Sequence, residues 1–143
     1  MAASSKFSIA VHVLSCLEYS DRQWGQPQMN SADLALSVNT NPVIIRNLLS
    51  ELSKAGLVIS KEGKGGGARL ARAASAITLD EVYAAVERAE MLARNPRPAH
   101  LPCSVSCGVK NALEPVLGSV NHAILSALKE KNLSEIVDQI MGV

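Results

Sequence analysis

Aromatic residues are almost missing from this chain of 143 residues: one Trp, one Phe and two Tyr make up 3% of it. Any core must therefore be aliphatic. Cysteine is scarce as well. Three cysteines, an odd number with no export signal ahead of them, argue against a disulfide scaffold and leave thiols that are buried, redox-active or metal-bound. No apolar run approaches the roughly 18 residues of a membrane span, and MAASSKFS lacks the charged-then-apolar layout of a signal peptide. A cytoplasmic protein with no membrane partner is expected. There is no internal repeat and no low-complexity tract. No Ser, His and Asp grouping stands out, and the acids fall on helix ends and outer faces, so an enzyme is not expected.

What is present is an apolar fraction of 48%, enough to bury the core of one domain or of one domain with an appendage. The net charge of +1 conceals an uneven distribution. Residues 46–72 hold six cations against two carboxylates, whereas residues 80–90 hold four carboxylates against Arg88 alone. Local asymmetry of this kind says more about partners than the total does.

From Ser5 to about Tyr19, Phe7, Ala10, Val11, Leu14 and Leu17 recur at helical spacing. DRQWGQPQ breaks that helix, and Trp24 is expected in the loop as a local packing anchor. Asn30 then makes an N-cap for a short helix over 31–37, with Asp33 in its first turn. In NPVIIRNLLSELSKAGLV, Asn41 caps, Pro42 suits the first helical position and Gly56 suits the left-handed residue that stops a helix. Ile44, Ile45, Leu48, Leu49 and Leu52 are expected to form its inward stripe. Val43, Arg46, Asn47, Ser50 and Lys54 form an outer face that offers hydrogen bonds and no acid. A short helix, a turn of about four residues and a second helix of this kind is the helix-turn-helix pattern. In a major groove, Asn reads adenine and Arg reads guanine.

After Gly56, LVIS and ARLA flank a glycine-rich turn, so residues 57–71 read as a β-hairpin with Lys61, Lys64 and Arg69 on or beside its tip. A hairpin directly after a recognition helix is a wing. Glycine permits positive φ and close approach to a phosphate backbone, and the cations attract it. Gly63, Gly65 and Ala68 also satisfy the dinucleotide spacing G-x-G-x-x-A. That motif, however, requires a long helix directly after it and a second buried strand beyond, and neither is present; nor does Ser or Thr follow Gly63-Lys64 as a P-loop requires.

Thr78 and Glu81 form a capping box for a helix running to about Ala89. NPRPAHLP, with three prolines, marks a linker. Beyond it Leu113, Val116, Leu117, Val120, Ile124 and Leu128 run along one face of a long helix, with Pro115 near its start or at a kink. Asn132 and Glu135 cap a last helix carrying Leu133, Ile136, Val137 and Ile140. The expectation is a mainly α fold with a small β-hairpin: a winged helix-turn-helix domain at 1–90, a linker or sensor loop at 91–108, and dimerisation helices at 109–143. A palindromic site needs two recognition helices roughly 34 Å apart, which the second apolar seam would supply by pairing with its twin.

Taken in order, SADLALSVNTNPVIIRNLLSELSKAGLVIS and GKGGGARLARAASAITLDEVYAAVE resemble the Rrf-type family of bacterial winged helix-turn-helix transcriptional regulators, closely over residues 4 to about 88 and in outline beyond. The resemblance implies a homodimeric repressor or activator of a palindromic operator in double-stranded DNA, with a long C-terminal helix crossing to the partner subunit. It implies base reading by Asn41, Val43, Arg46 and Asn47 and wing contacts from Lys64 and Arg69. With the residue pattern, the candidate DNA contacts become Ser31, Asn41, Val43, Arg46, Asn47, Ser50, Lys61, Lys64 and Arg69. Ile44 and Ala68 depart from the family, whose members usually carry Tyr at the first position and often at the second. Cluster-binding relatives place three cysteines before the long helix, and here only Cys103 and Cys107 stand there. An iron–sulfur cluster completed by His100 or by a partner chain, a thiol redox switch at Cys103 and Cys107, and no sensing by cysteine all stay open, as does a small-molecule effector. Beyond that cluster no metal or cofactor is expected. A winged-helix module that binds protein and no DNA is the alternative reading.

Overall fold

The computed structural model describes residues 4–143; the first three residues of the expected 1–90 domain, which open the leader reading, lie outside the described residues. Six helices and one hairpin follow one another: α1 (Lys6–Trp24), α2 (Ser31–Val38), α3 (Pro42–Lys54), β1 (Val58–Lys61), β2 (Gly67–Leu70), α4 (Leu79–Val86), α5 (Ser104–Lys129) and α6 (Leu133–Met141). A short 3-10 turn at Ala74–Ala76 connects β2 to α4. The fold is mainly α with one two-stranded antiparallel sheet, as the pattern predicts.

Each helix boundary has a local cause. Asn30 and Asn41 accept the backbone N–H of Asp33 and Val43, both at 2.8 Å, and so start α2 and α3. Gly56, at φ +77°, ends the chain's run through α3, and the Leu57 N–H returns to the Leu52 carbonyl at 3.0 Å. Glu81 accepts from the Thr78 N–H at 3.3 Å and from its hydroxyl at 2.8 Å, the capping pair that opens α4.

The core is aliphatic. Leu14 and Leu17 of α1, Leu34 of α2, Ile45 and Leu52 of α3, Leu57, Ile77 and Val82 are all sealed from solvent, and each such side chain contributes on the order of 1.5–3 kcal/mol by burial. Helix α1 runs one turn further than its apolar stripe predicts, so Trp24 is its last residue and not a loop anchor. It stays exposed and meets the Tyr19 ring edge-on at 5.5 Å between centroids.

β1 and β2 pair from Val58 opposite Leu70 to Lys61 opposite Gly67. The connection between α1 and α2 adds a third short rung: the Met29 N–H donates to the Ala68 carbonyl at 3.0 Å and the Ala68 N–H to the Met29 carbonyl at 2.8 Å. This rung pins the base of the wing to the entrance of α2. At its tip Gln28 Nε2 donates to the Gly65 carbonyl at 3.0 Å.

The C-terminal third differs from the expected linker and seam. Regular structure resumes at Ser104, inside the segment read as linker, and α5 passes through Pro115 without ending there. Helix α6, expected among the dimerisation helices, packs inward within its own chain. Its Leu133 belongs to the winged-helix core, and Val137 is fully buried. Arg22, near the end of α1, holds α6 from outside: its guanidinium pairs with Asp138 and with Glu18, both at 2.6 Å, and donates to Ser134 Oγ at 2.8 Å. Periodicity revealed a face to bury, and the nearest apolar surface was in the same chain. By contrast α5 buries none of its residues fully. Arg94 ties the preceding segment along it through Glu90 and Glu114.

Candidate nucleic-acid interface

The helix-turn-helix and the wing enclose an open groove of about 670 Å³. One wall is the outer face of α3, with Arg46, Leu49, Ser50, Ser53 and Lys54. The other is the hairpin, with Ser60, Lys61, Glu62, Gly63, Gly66 and Gly67, and Asn30 and Ser31 close the end at the start of α2. Among the described residues no carboxylate forms an ion pair with Arg46, Lys54, Lys61 or Lys64, although Lys6, Arg22, Arg72 and Arg94 are all paired elsewhere. A groove whose cations have no internal partner presents its positive charge outward, where a polyanion can take it up.

The glycines of the wing are demanded first by the protein itself. A Cβ on Gly67 would stand 2.6 Å from the Met29 carbonyl oxygen, inside the rung that anchors the hairpin, and Gly65 sits at φ +75°. The turn they allow is tight, and it carries Lys64 at its exposed tip.

The structure gathers Ser31, Arg46, Ser50 and Lys61 into this groove. Val43 and Asn47 lie exposed on the same outer face of α3, one turn apart and outside the groove lining. Asn41 is exposed, and its amide oxygen is engaged in capping α3. Arg69 is not among the residues that line the groove. It stands opposite Ile59 in the ladder, on the face away from buried Ala68, and lines a second depression with Leu17, Glu18, Asp21 and Arg72 among others. Ile44, expected inside, is 49% exposed, since the buried residues Ile45, Leu48, Leu49 and Leu52 already fill the inward stripe. Lys54, Ser53, Ser60 and Asn30 line the groove although the sequence marked none of them as a contact. Lys54 was legible on the outer face; the two serines carry no pattern that would single them out.

The cysteines occupy two places. Cys16 is half-buried in α1, where its thiol donates to Ser37 Oγ at 3.2 Å and burial pushes its pKa up, away from a reactive thiolate. His12 Nε2 reaches the same Ser37 oxygen at 2.9 Å. Cys103 is the N-cap of α5, its sulfur accepting the Ser106 N–H at 3.4 Å, and Cys107 sits one turn on, its thiol directed to the Leu101 carbonyl at 3.5 Å. Both are exposed, and the backbone N–H of His100 donates to Ser106 Oγ beside them at 2.7 Å. Among the described residues no three His, Cys, Asp or Glu side chains converge on one ion.

The family model described as iron-dependent transcriptional regulator, Rrf2, matches residues 3–139. The donors just described, two thiols and no convergent third group among the described residues, do not fit an iron centre held by one chain. YwnA of Bacillus subtilis (strain 168), named as a candidate HTH-type transcriptional regulator, is 34% identical over 140 residues, 96% of this chain and 98% of its own. The crystal structure of a candidate DNA-binding protein is 33% identical, with a TM-score of 0.72 over 92% of this chain and 98% of that one. CymR, the global cysteine regulator of B. subtilis, shares the fold at 19% identity, with a TM-score of 0.68 over 97% of this chain and 98% of its own. With a winged helix-turn-helix, an unpaired cationic groove and a family match over nearly its whole length, the chain belongs to the Rrf2 family of transcriptional regulators.

Proposed function

We propose that this protein is a homodimeric, sequence-specific repressor that binds a palindromic operator in double-stranded DNA. The observation that carries the reading is the groove between α3 and the wing, where Arg46, Lys54 and Lys61 stand without carboxylate partners among the described residues, beside the hydrogen-bonding face of α3. In this reading α3 enters the major groove, where Arg46 and Asn47 reach base edges. Ser31, Ser50, Lys61 and Lys64 hold the phosphate backbone and fix the register. Helix α5 provides the dimer surface: Val109, Leu113 and Val116 are 39%, 44% and 53% exposed along one side, and no residue of this helix is fully buried within the chain. A second copy covering that side sets the distance between two recognition helices. Repression follows from occupying the operator.

The test is binding to duplexes selected by the protein from a random pool, measured by fluorescence anisotropy over a series of salt concentrations. Asn47→Ala is expected to cost about 1–3 kcal/mol and to relax preference at one base position. Lys64→Ala is expected to weaken every sequence equally and to lower the salt slope by about 1. Equal losses on selected and random DNA for both variants contradict this division of labour. A failure to select any sequence leaves protein recognition as the use of the winged helix.

A further inference from the structure

α3 opens with two adjacent aliphatic side chains that the core does not use. Val43 is 50% exposed and Ile44 49% exposed, both in the first turn behind the Asn41 cap. Exposed β-branched residues cost solvation and contribute nothing to the packing of α3, whose buried stripe is complete without them. Their positions tie them to the base-reading residues. Val43 lies one turn before both Arg46 and Asn47, and Ile44 lies one turn before Asn47 on the side away from the wing groove that Arg46 lines. The reading edge of the helix is thus polar in its second turn and aliphatic in its first. Within a major groove the base-edge feature that best rewards an aliphatic group is the C5 methyl of thymine; the donors and acceptors of the other edges would lose water to no gain, and the cytosine C5–H offers far less apolar surface.

We propose that Val43 and Ile44 form a methyl reader for thymine at the leading end of α3. The assignment rests on the DNA-binding reading above and deepens it by naming a base. One helical turn advances about 5.4 Å, against a base-pair rise of about 3.4 Å, so the thymine falls within about two base pairs of the position Asn47 reads. It lies on the side of that position facing the N-terminus of α3. Each half-site carries such a thymine, on whichever strand turns its methyl group to the helix.

The experiment uses the intact protein and a duplex it selects from a random pool. The Asn47 position is first located as the one whose preference Asn47→Ala relaxes. Each thymine in the half-site is then replaced singly by deoxyuridine, which removes the methyl group and keeps the hydrogen-bonding edge. Deoxyuridine within two base pairs of the Asn47 position is expected to lower affinity by about 3- to 5-fold, the worth of one buried methyl-sized group, and other replacements are expected to change little. The variant carrying Val43→Ala and Ile44→Ala is expected to select DNA still and to bind thymine and deoxyuridine duplexes equally. Because both side chains are half-exposed, this variant is expected to fold, and its circular dichroism and melting temperature verify that. If all deoxyuridine duplexes bind as tightly as the parent, or if the sensitivity persists in the double variant, the methyl reader is overturned while the regulator reading stands. If no sequence is selected at all, the regulator reading itself falls, and the methyl reader with it.

Discussion

Thr78 and Asn132, each the N-cap of its own helix, pair with one another as an antiparallel bridge. The Leu79 N–H donates to the Lys131 carbonyl at 3.0 Å, and the Leu133 N–H donates to the Ile77 carbonyl at 2.9 Å. Two helix starts that would each leave backbone donors unpaired therefore satisfy one another, and the side-chain caps supply the rest. The bridge joins residues more than fifty positions apart and holds α6 against the core of the helix-turn-helix and hairpin. Leu133, directly after the bridge, is fully buried. Leu133→Ala is expected to destabilise the winged-helix domain by about 2–5 kcal/mol, as a cavity in its core. Urea unfolding followed by circular dichroism reads this. A loss confined to dimer dissociation, with the unfolding midpoint of the protomer unchanged, contradicts the placement.

The same junction sets a pH dependence. Arg72 donates to the Glu81 carboxylate, and this contact, followed by the Thr78 bonds, holds the Glu81 pKa below its ordinary value of 4.5. A carboxylate with a depressed folded-state pKa contributes stability that is fully present above the unfolded value and disappears as pH falls through the folded one. Glu81→Gln keeps the capping geometry and removes the charge. The stability difference between the parent and Glu81→Gln is therefore expected to be constant at neutral pH and to shrink below about 4.5. Both partners are more than a third exposed, so solvent screening limits the plateau to less than about 1 kcal/mol. Thermal melts of both proteins between pH 7 and pH 3 check the sign.

Gly67 has no room for a side chain. Its added Cβ would meet the Met29 carbonyl at 2.6 Å, so Gly67→Ala must open the rung between Met29 and Ala68 or displace the hairpin. A cost of about 1–3 kcal/mol is expected. Because that rung aims the wing, weaker binding to all DNA sequences is expected with it. Hydrogen exchange at the Met29 and Ala68 amides, faster in the variant, distinguishes loss of the rung from a defect elsewhere.

The elements that position the interface were legible because they are framed by local chemistry. Asn30, Asn41, Pro42 and Gly56 act within a few residues of themselves, and the glycine turn between two β-branched or apolar tetrads has few alternatives to a hairpin. What escaped was decided at a distance. Leu133 and Val137 carry the same spacing whether they face a second chain or α1, and only the Thr78–Asn132 bridge and the Arg22 clamp choose between them. The start of α5 was hidden because a cysteine caps it, a residue with no standing among helix caps. Ile44 and Ile45 are neighbours about 100° apart on α3, and the sequence pattern had no means to say that only the second turns inward. Arg69 shares its sheet face with Lys61, and only the depression it lines beside α1, a neighbour distant in sequence, sets it apart.

The two depressions yield a last prediction. Lys61 lines the groove against α3, whereas Arg69, two residues past the position that pairs with Lys61, opens toward Glu18 and Asp21 of α1. A cation that meets phosphate releases a counterion and contributes close to one unit to the dependence of log K on log salt. Lys61→Ala is therefore expected to lower that slope by about 1 on selected and random duplexes alike. Arg69→Ala is expected to change it less, because Arg69 lines a separate depression beside Glu18 and Asp21 and not the groove. The two variants each remove one positive charge, so any difference between them reports geometry and not net charge. Equal slopes for both would return Arg69 to the wing surface, where the sequence alone had put it.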